Sequence, residues 1–325
     1  MVSGLTDAVL EKLITEESCR GEALSRELGV TRAAVWKQIE KLRALGFGIE
    51  SSPKDGYRLV FVPDSVRPPV LRRGLDTKWA GCEITYFPQC DSTNRVARQM
   101  AQQGAPHGAL VITDEQTAGR GRRGRSWVSP SGESVMMTVV LRPQEHPSRV
   151  ALVSLSVALA VAEAIEEASG VGTRIKWPND IVSGGRKVCG MLLEMDADEQ
   201  CVHSIAAGIG INVHQQAFDG EIAGTASSLD LLSGRTLSRA DVVRAFLRAL
   251  ERAEAQRAAG TLMEAYRARS ATLGRRVRVI GVQESFEGEA LEVTESGSLL
   301  VKDENGTVRE VLAGDVSVRG LMGYA

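Results

Sequence analysis

Gly119-Arg120-Gly121-Arg122-Arg123-Gly124-Arg125-Ser126-Trp127 places four arginines and three glycines in seven residues, then a serine and a tryptophan. Glycine tolerates positive φ and lets backbone N–H groups approach a ligand closely. Each arginine adds a planar, permanently charged fork suited to carboxylate or phosphate oxygens. Taken alone, such a string reads equally well as a disordered basic arm or a nucleic-acid arm. Its neighbours decide the matter. It lies between 109–112 and Ser134–Leu141, two apolar runs that read as buried strands. A charged arm does not normally interrupt a core, so the string reads as an ordered anion-binding loop set into an α/β domain.

The chain has 325 residues, enough for two or three domains and a large core. Its 43% hydrophobic and 25% charged residues are those of an ordinary globular protein. A formal net charge of −2 excludes a surface-wide basic field, so any nucleic-acid contact must be a local patch. No apolar run reads as long enough to span a membrane and no signal peptide precedes Thr6, so no membrane association is expected. Cys19, Cys82, Cys90, Cys189 and Cys201 are odd in number and lack a C-x-x-C pair, as expected of reduced thiols in a cytoplasmic protein. The histidines are scattered without H-E-x-x-H, so metal ligands stay unassigned.

Residues 1–62 read as a separate unit. Leu5, Val9, Leu10 and Leu13 recur at helical spacing, and 22–28 makes a short second helix ended by Gly29. Thr31 suits the N-cap of a third helix, with Val35, Ile39 and Leu42 on one face. Two short strands around Pro53-Lys54-Asp55-Gly56 follow, which completes a winged helix-turn-helix. Within 1–62 nine basic residues balance nine acidic ones, yet Arg32, Lys37, Lys41 and Arg43 crowd the third helix against Glu40 alone. The charge is focused where a recognition helix meets phosphates. Thr31, Arg32, Trp36, Lys37 and Lys41 are the candidate DNA contacts; a purely structural or protein-binding winged helix is the alternative.

Three prolines between Pro63 and Pro69 make 63–72 a linker, and 73–271 the large domain. There a strand at 83–87 leads to Asp91-Ser92-Thr93-Asn94, read either as a helix cap or as donors and acceptors for a polar ligand. Residues 151–165 form a long apolar helix. Lys176 ends a strand that Pro178 turns, with Asn179 and Asp180 at the tip. Arg186-Lys187 opens an apolar strand that ends at Glu194. The strand at 205–213 contains Gly208 and Gly210; with no third glycine it is no dinucleotide motif, but it could let a flat ligand lie on the backbone. Residues 214–227 read as a mobile loop over a site, and 237–271 as helical. From 272 to 325 short alternating strands meet at Ser296-Gly297 and Asn305-Gly306, a β-rich C-terminal domain.

The order of these parts resembles the bacterial bifunctional biotin–protein ligases that also act as the biotin operon repressor. The resemblance covers nearly the whole chain, and the Gly119–Arg125 string (residues 119–125) is its specific motif. It implies an α+β multidomain fold: a winged helix, a central α/β ligase domain with a mixed sheet, and a small SH3-like β-barrel ending in Gly-x-x-Ser-x-Arg at Arg319. It implies that biotin and ATP form biotinyl-5′-AMP, whose biotinyl group passes to a lysine of a biotin carboxyl carrier domain. By that resemblance Ser92, Thr93, Asn94, Gln116, Gly119, Arg120, Gly121, Arg122 and Lys187 bind biotin, and Arg122, Lys176, Asn212 and Arg319 bind nucleotide. Arg122, Lys176, Asp180 and Lys187 carry catalysis, with Mg²⁺ accompanying ATP and Asp180 orienting the acceptor lysine. A homodimer favoured by biotinyl-AMP is expected to bind operator DNA. Alternatives are a ligase without repressor activity, a lipoate–protein ligase, and a decayed biotin-sensing transcription factor.

Overall fold

The computed structural model describes residues 4–281, 285–313 and 317–320, with Glu221 and the last four described by backbone alone. The chain divides into two compact units: 1–76 with 238–240, and 77–237 with 241–325.

The first unit begins with helices α1 (Leu5–Thr15), α2 (Gly21–Glu27) and α3 (Arg32–Ala44). Val9 and Leu10 of α1 pack with Val35, Ile39 and Leu42 of α3, all fully buried. Thr31 Oγ1 accepts from the Ala34 N–H at 3.1 Å, so the expected cap starts α3. Strands β1 (Gly48–Ser52) and β2 (Gly56–Phe61) form an antiparallel wing closed by the Ser52–Gly56 pair. The stretch 63–72 is not an extended linker. It contains helix α4 (Pro68–Arg72), whose prolines occupy the first helical positions, where no N–H is needed. The Arg67 guanidinium donates to Asp7 Oδ1 of α1 at 2.6 Å, and both side chains are buried. Removing one partner of such a pair costs about 3–5 kcal/mol, so α4 belongs to this unit.

The second unit is built on β3 (Ile84–Cys90), α5 (Thr93–Gln102), β4 (Leu110–Gln116), β5 (Ser134–Leu141), α6 (Val150–Ser169), β6 (Arg174–Lys176), β7 (Asp180–Ser183), β8 (Arg186–Ala197) and β9 (Val202–Asn212). The seven strands form a mixed sheet in the order β3-β4-β5-β9-β8-β7-β6. Only β3 and β4 are parallel, with α5 as their crossover; every other pair is antiparallel. Each residue of β5 is buried, the pattern of a strand covered on both faces. Helix α6 with its preceding turn is long and apolar enough to span a membrane by length and composition, contrary to the expectation from sequence. Its side chains from Leu155 to Ala162 are buried inside the protein, so it is a core helix.

Three helices follow the sheet: α7 (Leu229–Ser233), α8 (Arg239–Ala259) and α9 (Leu262–Ala268). The helical run expected from 237 to 271 is thus interrupted at Gly260, whose φ is 74°. The C-terminal strands β10 (Arg276–Ile280), β11 (Ser285–Val293), β12 (Leu299–Asp303), β13 (Val308–Val311) and β14 (Ser317–Gly320) make an antiparallel sheet ordered β13-β12-β11-β10-β14. Among the described residues no ladder joins β13 to β14, so the sheet is seen open and barrel closure is not. Trp177, fully buried after β6, ties this sheet to the larger one: its Nε1–H donates to the Gly297 carbonyl at 3.1 Å.

Candidate functional site

A cleft opens over the middle of the seven-stranded sheet. Its floor is the β8–β9 ladder, where Gly190 faces Gly210 and Leu192 faces Gly208. These glycines are required by contact. A Cβ on Gly210 would lie 2.5 Å from the Trp127 ring, and one on Gly208 would overlap Asn94 Oδ1. The flat backbone expected around Gly208 and Gly210 is therefore occupied in part by the protein's own indole.

The arginine string folds as a hairpin over this floor. The Trp127 N–H donates to the Gly119 carbonyl at 2.9 Å and the Gly121 N–H to the Arg125 carbonyl at 2.7 Å. Arg123 at the tip has φ 57°, a left-handed conformation that costs a non-glycine residue about 1–2 kcal/mol. Its Nη1 donates to the Ile280 carbonyl of β10 at 3.0 Å, which holds the tip against the C-terminal sheet. Arg122 donates to Asn179 Oδ1 at 2.8 Å and to the Ala313 carbonyl. Burial lowers the Arg122 pKa from its ordinary value, partly opposed by the Asp180 carboxylate; this far above neutrality the guanidinium stays charged. Arg120 reaches Glu194 Oε2 at 3.4 Å.

Opposite the hairpin, Lys187 Nζ lies 2.7 Å from Asp180 Oδ1 and 5.9 Å from the Trp127 ring centre. Its backbone is fixed from both sides: Lys187 N–H donates to Thr225, and Ser227 N–H donates to the Lys187 carbonyl. The end of the 214–227 loop is thereby stitched to the edge of the cleft.

The far end of the cleft is a polar cluster at the start of α5. Ser92 occupies the N-cap position without a capping side-chain bond. Instead Gln116 Oε1 accepts from the Thr93 N–H at 2.8 Å. Asn94 Nδ2 donates to the Leu192 carbonyl at 3.0 Å and to Glu194 Oε2 at 2.8 Å. The capping alternative for this tetrapeptide thus fails at Ser92; Ser92, Thr93 and Asn94 line the cleft, while Asp91 accepts the Ser92 N–H and pairs with Arg95.

Ser92, Thr93, Asn94, Gln116, Arg120, Gly121, Arg122 and Lys187 all line the cleft. Gly119 stands just behind it, closing the hairpin against Trp127. Asp180 enters through Lys187. Lys176 is buried at the end of β6 and lies outside the lining. Asn212 is buried beneath the loop, donating to the Ser227 carbonyl at 3.1 Å. The Arg319 side chain lies outside the described residues; its backbone pairs with Arg278. Among the described residues no three His, Cys, Asp or Glu side chains group as a metal site. Sequence reasoning missed two supports, Thr138 and Glu194. Thr138 is concealed in an apolar strand, although a hydroxyl between Met137 and Val139 was the available signal.

In the first unit, the N-cap Thr31 and Arg32, Trp36, Lys37 and Lys41 of α3 are exposed, with Trp36 57% exposed. Arg43 instead turns back, donating to Glu40 at 2.7 Å and to the Ile49 carbonyl at 2.8 Å.

Comparison with known proteins agrees with these parts. Residues 86–212 match the biotin/lipoate A/B protein ligase family, 6–58 match an HTH domain, and 272–319 match the biotin protein ligase C-terminal domain. The chain is 36% identical over 310 residues to the bifunctional ligase/repressor BirA of Bacillus subtilis, covering 93% of this chain and 94% of that one. It is 32% identical over 266 residues to the biotin–[acetyl-CoA-carboxylase] ligase of Mycobacterium tuberculosis, covering 78% and 97%. The biotin protein ligase of Aquifex aeolicus in complex with biotin and ATP superposes with a TM-score of 0.64 at 28% identity, covering 74% of this chain and 99% of that structure.

Proposed function

The chain belongs to the biotin protein ligase family, in its bifunctional ligase/repressor branch, and we propose how its cleft and its winged helix divide the work. The protein is a biotin–[acetyl-CoA-carboxylase] ligase that uses ATP, and a DNA-binding repressor. The observation that carries the ligase reading is the convergence of Arg122 and Lys187 on a glycine-floored cleft that ends in hydroxyl and amide groups. Two anions repel each other, so their reaction needs fixed positive charge between them.

A biotin carboxylate oxygen attacks the α-phosphorus of ATP, and pyrophosphate leaves with the electrons of the broken P–O bond. The ε-amine of a carrier lysine then attacks the biotinyl carbonyl, AMP departs, and the amine loses its proton. Ser92, Thr93 and Gln116 face the ring urea, with Asn94 behind them. Gly119, Arg120, Gly121 and Arg122 close over the ligand. Lys187 sits between the carboxylate and the phosphate. Asp180 holds Lys187 until substrate arrives and then faces the acceptor lysine. Lys176, Asn212 and Arg319 serve the nucleotide side, Asn212 by fixing the loop at Ser227. With no cluster of acidic ligands among the described residues to hold it, Mg²⁺ comes with the phosphates of ATP.

The acceptor is a biotin carboxyl carrier domain, and the setting is the cytoplasm, where ATP is plentiful and thiols stay reduced. The exposed basic face of α3 meets operator DNA. Two winged helices in a homodimer, favoured by biotinyl-AMP, match a two-fold operator. The C-terminal sheet closes as a small SH3-like barrel in this reading.

Purified protein incubated with ATP, Mg²⁺, biotin and a carrier fragment is blotted for biotin, with lipoate in a parallel lane. Label on the carrier lysine only in the biotin lane is expected. Label in neither lane, with biotin binding intact, refutes the ligase and leaves a biotin sensor.

A further inference from the structure

This inference rests on reading the cleft as the biotin site, and it concerns residues beneath the lining. We infer that Thr138, with Asn94 and Glu194, forms a one-way hydrogen-bond chain that fixes the Thr93 hydroxyl as an acceptor for a ring N–H. Thr138 is thereby a positioning residue for the cyclic urea.

The direction follows from counting protons. A carboxylate and a backbone carbonyl can only accept. Asn94 Nδ2 lies 2.8 Å from Glu194 Oε2 and 3.0 Å from the Leu192 carbonyl, so both amide protons are committed and the amide cannot be reversed. Its Oδ1 therefore faces Thr138 Oγ1 at 2.7 Å. A carbonyl oxygen has no proton to give, so the Thr138 hydroxyl donates its only one. Thr138 Oγ1 also lies 2.8 Å from Thr93 Oγ1. With its proton spent, Thr138 accepts there and Thr93 donates. Gln116 Oε1 takes the Thr93 N–H at 2.8 Å and also lies 3.1 Å from Thr93 Oγ1. The shorter contact with Thr138 needs a proton that Thr93 alone can supply, and with either acceptor the Thr93 proton is engaged within the protein. What Thr93 still offers the cleft is lone pairs, which reward a ligand bearing N–H and give nothing to a dithiolane.

The chain is built into the fold. Thr138 is fully buried in the middle of β5, directly opposite Gly208, where any side chain would displace Asn94 Oδ1. A threonine that only satisfied local polarity would not need to contact two residues of the cleft lining.

The test uses the full chain carrying Thr138→Val, which keeps the shape and removes the hydroxyl, and Thr138→Ser, which restores it. Biotin Kd is measured by calorimetry, with KM for biotin and for ATP and kcat from carrier biotinylation. Thr138→Val is expected to raise the biotin Kd and KM about tenfold, the scale of one hydrogen bond. It should leave kcat and the ATP KM within about twofold, and Thr138→Ser should return biotin binding to within about twofold of the parent. Parent-like biotin affinity in Thr138→Val overturns the inference, as does an equal rise in both KM values or a failure of the serine to rescue. If the valine variant does not fold, Thr138→Cys is compared with Thr138→Ser: weaker biotin binding by the cysteine sustains the chain, and equal binding overturns it. Failure of the parent protein itself to bind biotin is a different result, and it strikes the reading of the cleft.

Discussion

Helix α3 and the arginine hairpin are both basic, but their charges are held differently. On α3, Arg32, Lys37 and Lys41 are exposed to solvent. In the hairpin, Arg120, Arg122 and Arg123 each reach an acceptor supplied by another strand or loop. A solvated patch suits a long polyanion, because released counterions supply the affinity and register is set elsewhere. Pre-oriented guanidinium groups suit one small anion at one place, because no reorganisation is left to do when charge develops. One chain thus contains two answers to negative charge, separable by experiment.

Salt should separate them most. Under the proposed dimer, with three cations per winged helix and two helices per operator, affinity for operator DNA should fall about 10³-fold between about 50 and 200 mM salt. The KM for biotin should stay within about twofold over that range. Gel shifts and initial rates on one preparation make the comparison, and parallel losses would erase the distinction. Next in size, Lys187→Gln should lower the rate of pyrophosphate release about 10²–10³-fold while operator binding without biotin stays at the parent level. The converse variant, Lys37→Ala with Lys41→Ala, should weaken operator binding about tenfold or more and shallow its salt dependence by about two per helix. Its carrier biotinylation should match the parent; a loss there would mean that the α3 lysines serve the ligase as well.

The smallest effect lies outside both basic regions. Burial lowers the His107 pKa below 6.5, and its Nδ1 accepts the Arg142 N–H at 2.9 Å. The unfolded chain then binds the extra proton first as pH falls. The stabilisation is complete above pH 6.5 and is lost as pH drops through the folded-state value. Thermal melts from pH 7.5 down to pH 5.5 should show a falling Tm, shallower in His107→Asn, where the amide oxygen can replace the acceptor. An identical slope in both proteins would assign the loss to other groups.

Much of this architecture is legible in the residues because its causes are local. Continuous apolar runs give β4 and β5, Thr31 caps α3, and those flanking runs mark the arginine string as folded. What escaped depends on partners far along the chain. The proline-rich 63–72 segment has the composition of a linker, and only the distant Asp7 explains why Arg67 is buried. Asn94 lines the cleft, and that both of its amide protons go to β8 is not legible in the sequence. Asn212 ends a glycine-rich strand, and its bond to the Ser227 carbonyl is not legible in that strand. Thr138 is a polar residue in the middle of an apolar strand, and its use appears only when α5 is placed beside β5. Apolar content likewise cannot tell a core helix from a spanning one, so the character of α6 was settled by its burial.

The most direct test of the account is to mix the protein with biotin and ATP, without any carrier, and look for the activated acid by mass spectrometry. Biotinyl-5′-AMP should be retained at about one equivalent per cleft, with pyrophosphate released in equal amount, and Lys187→Gln should form neither at the parent rate. ATP consumed to ADP, or no adenylate at all from protein that binds both substrates, would contradict it.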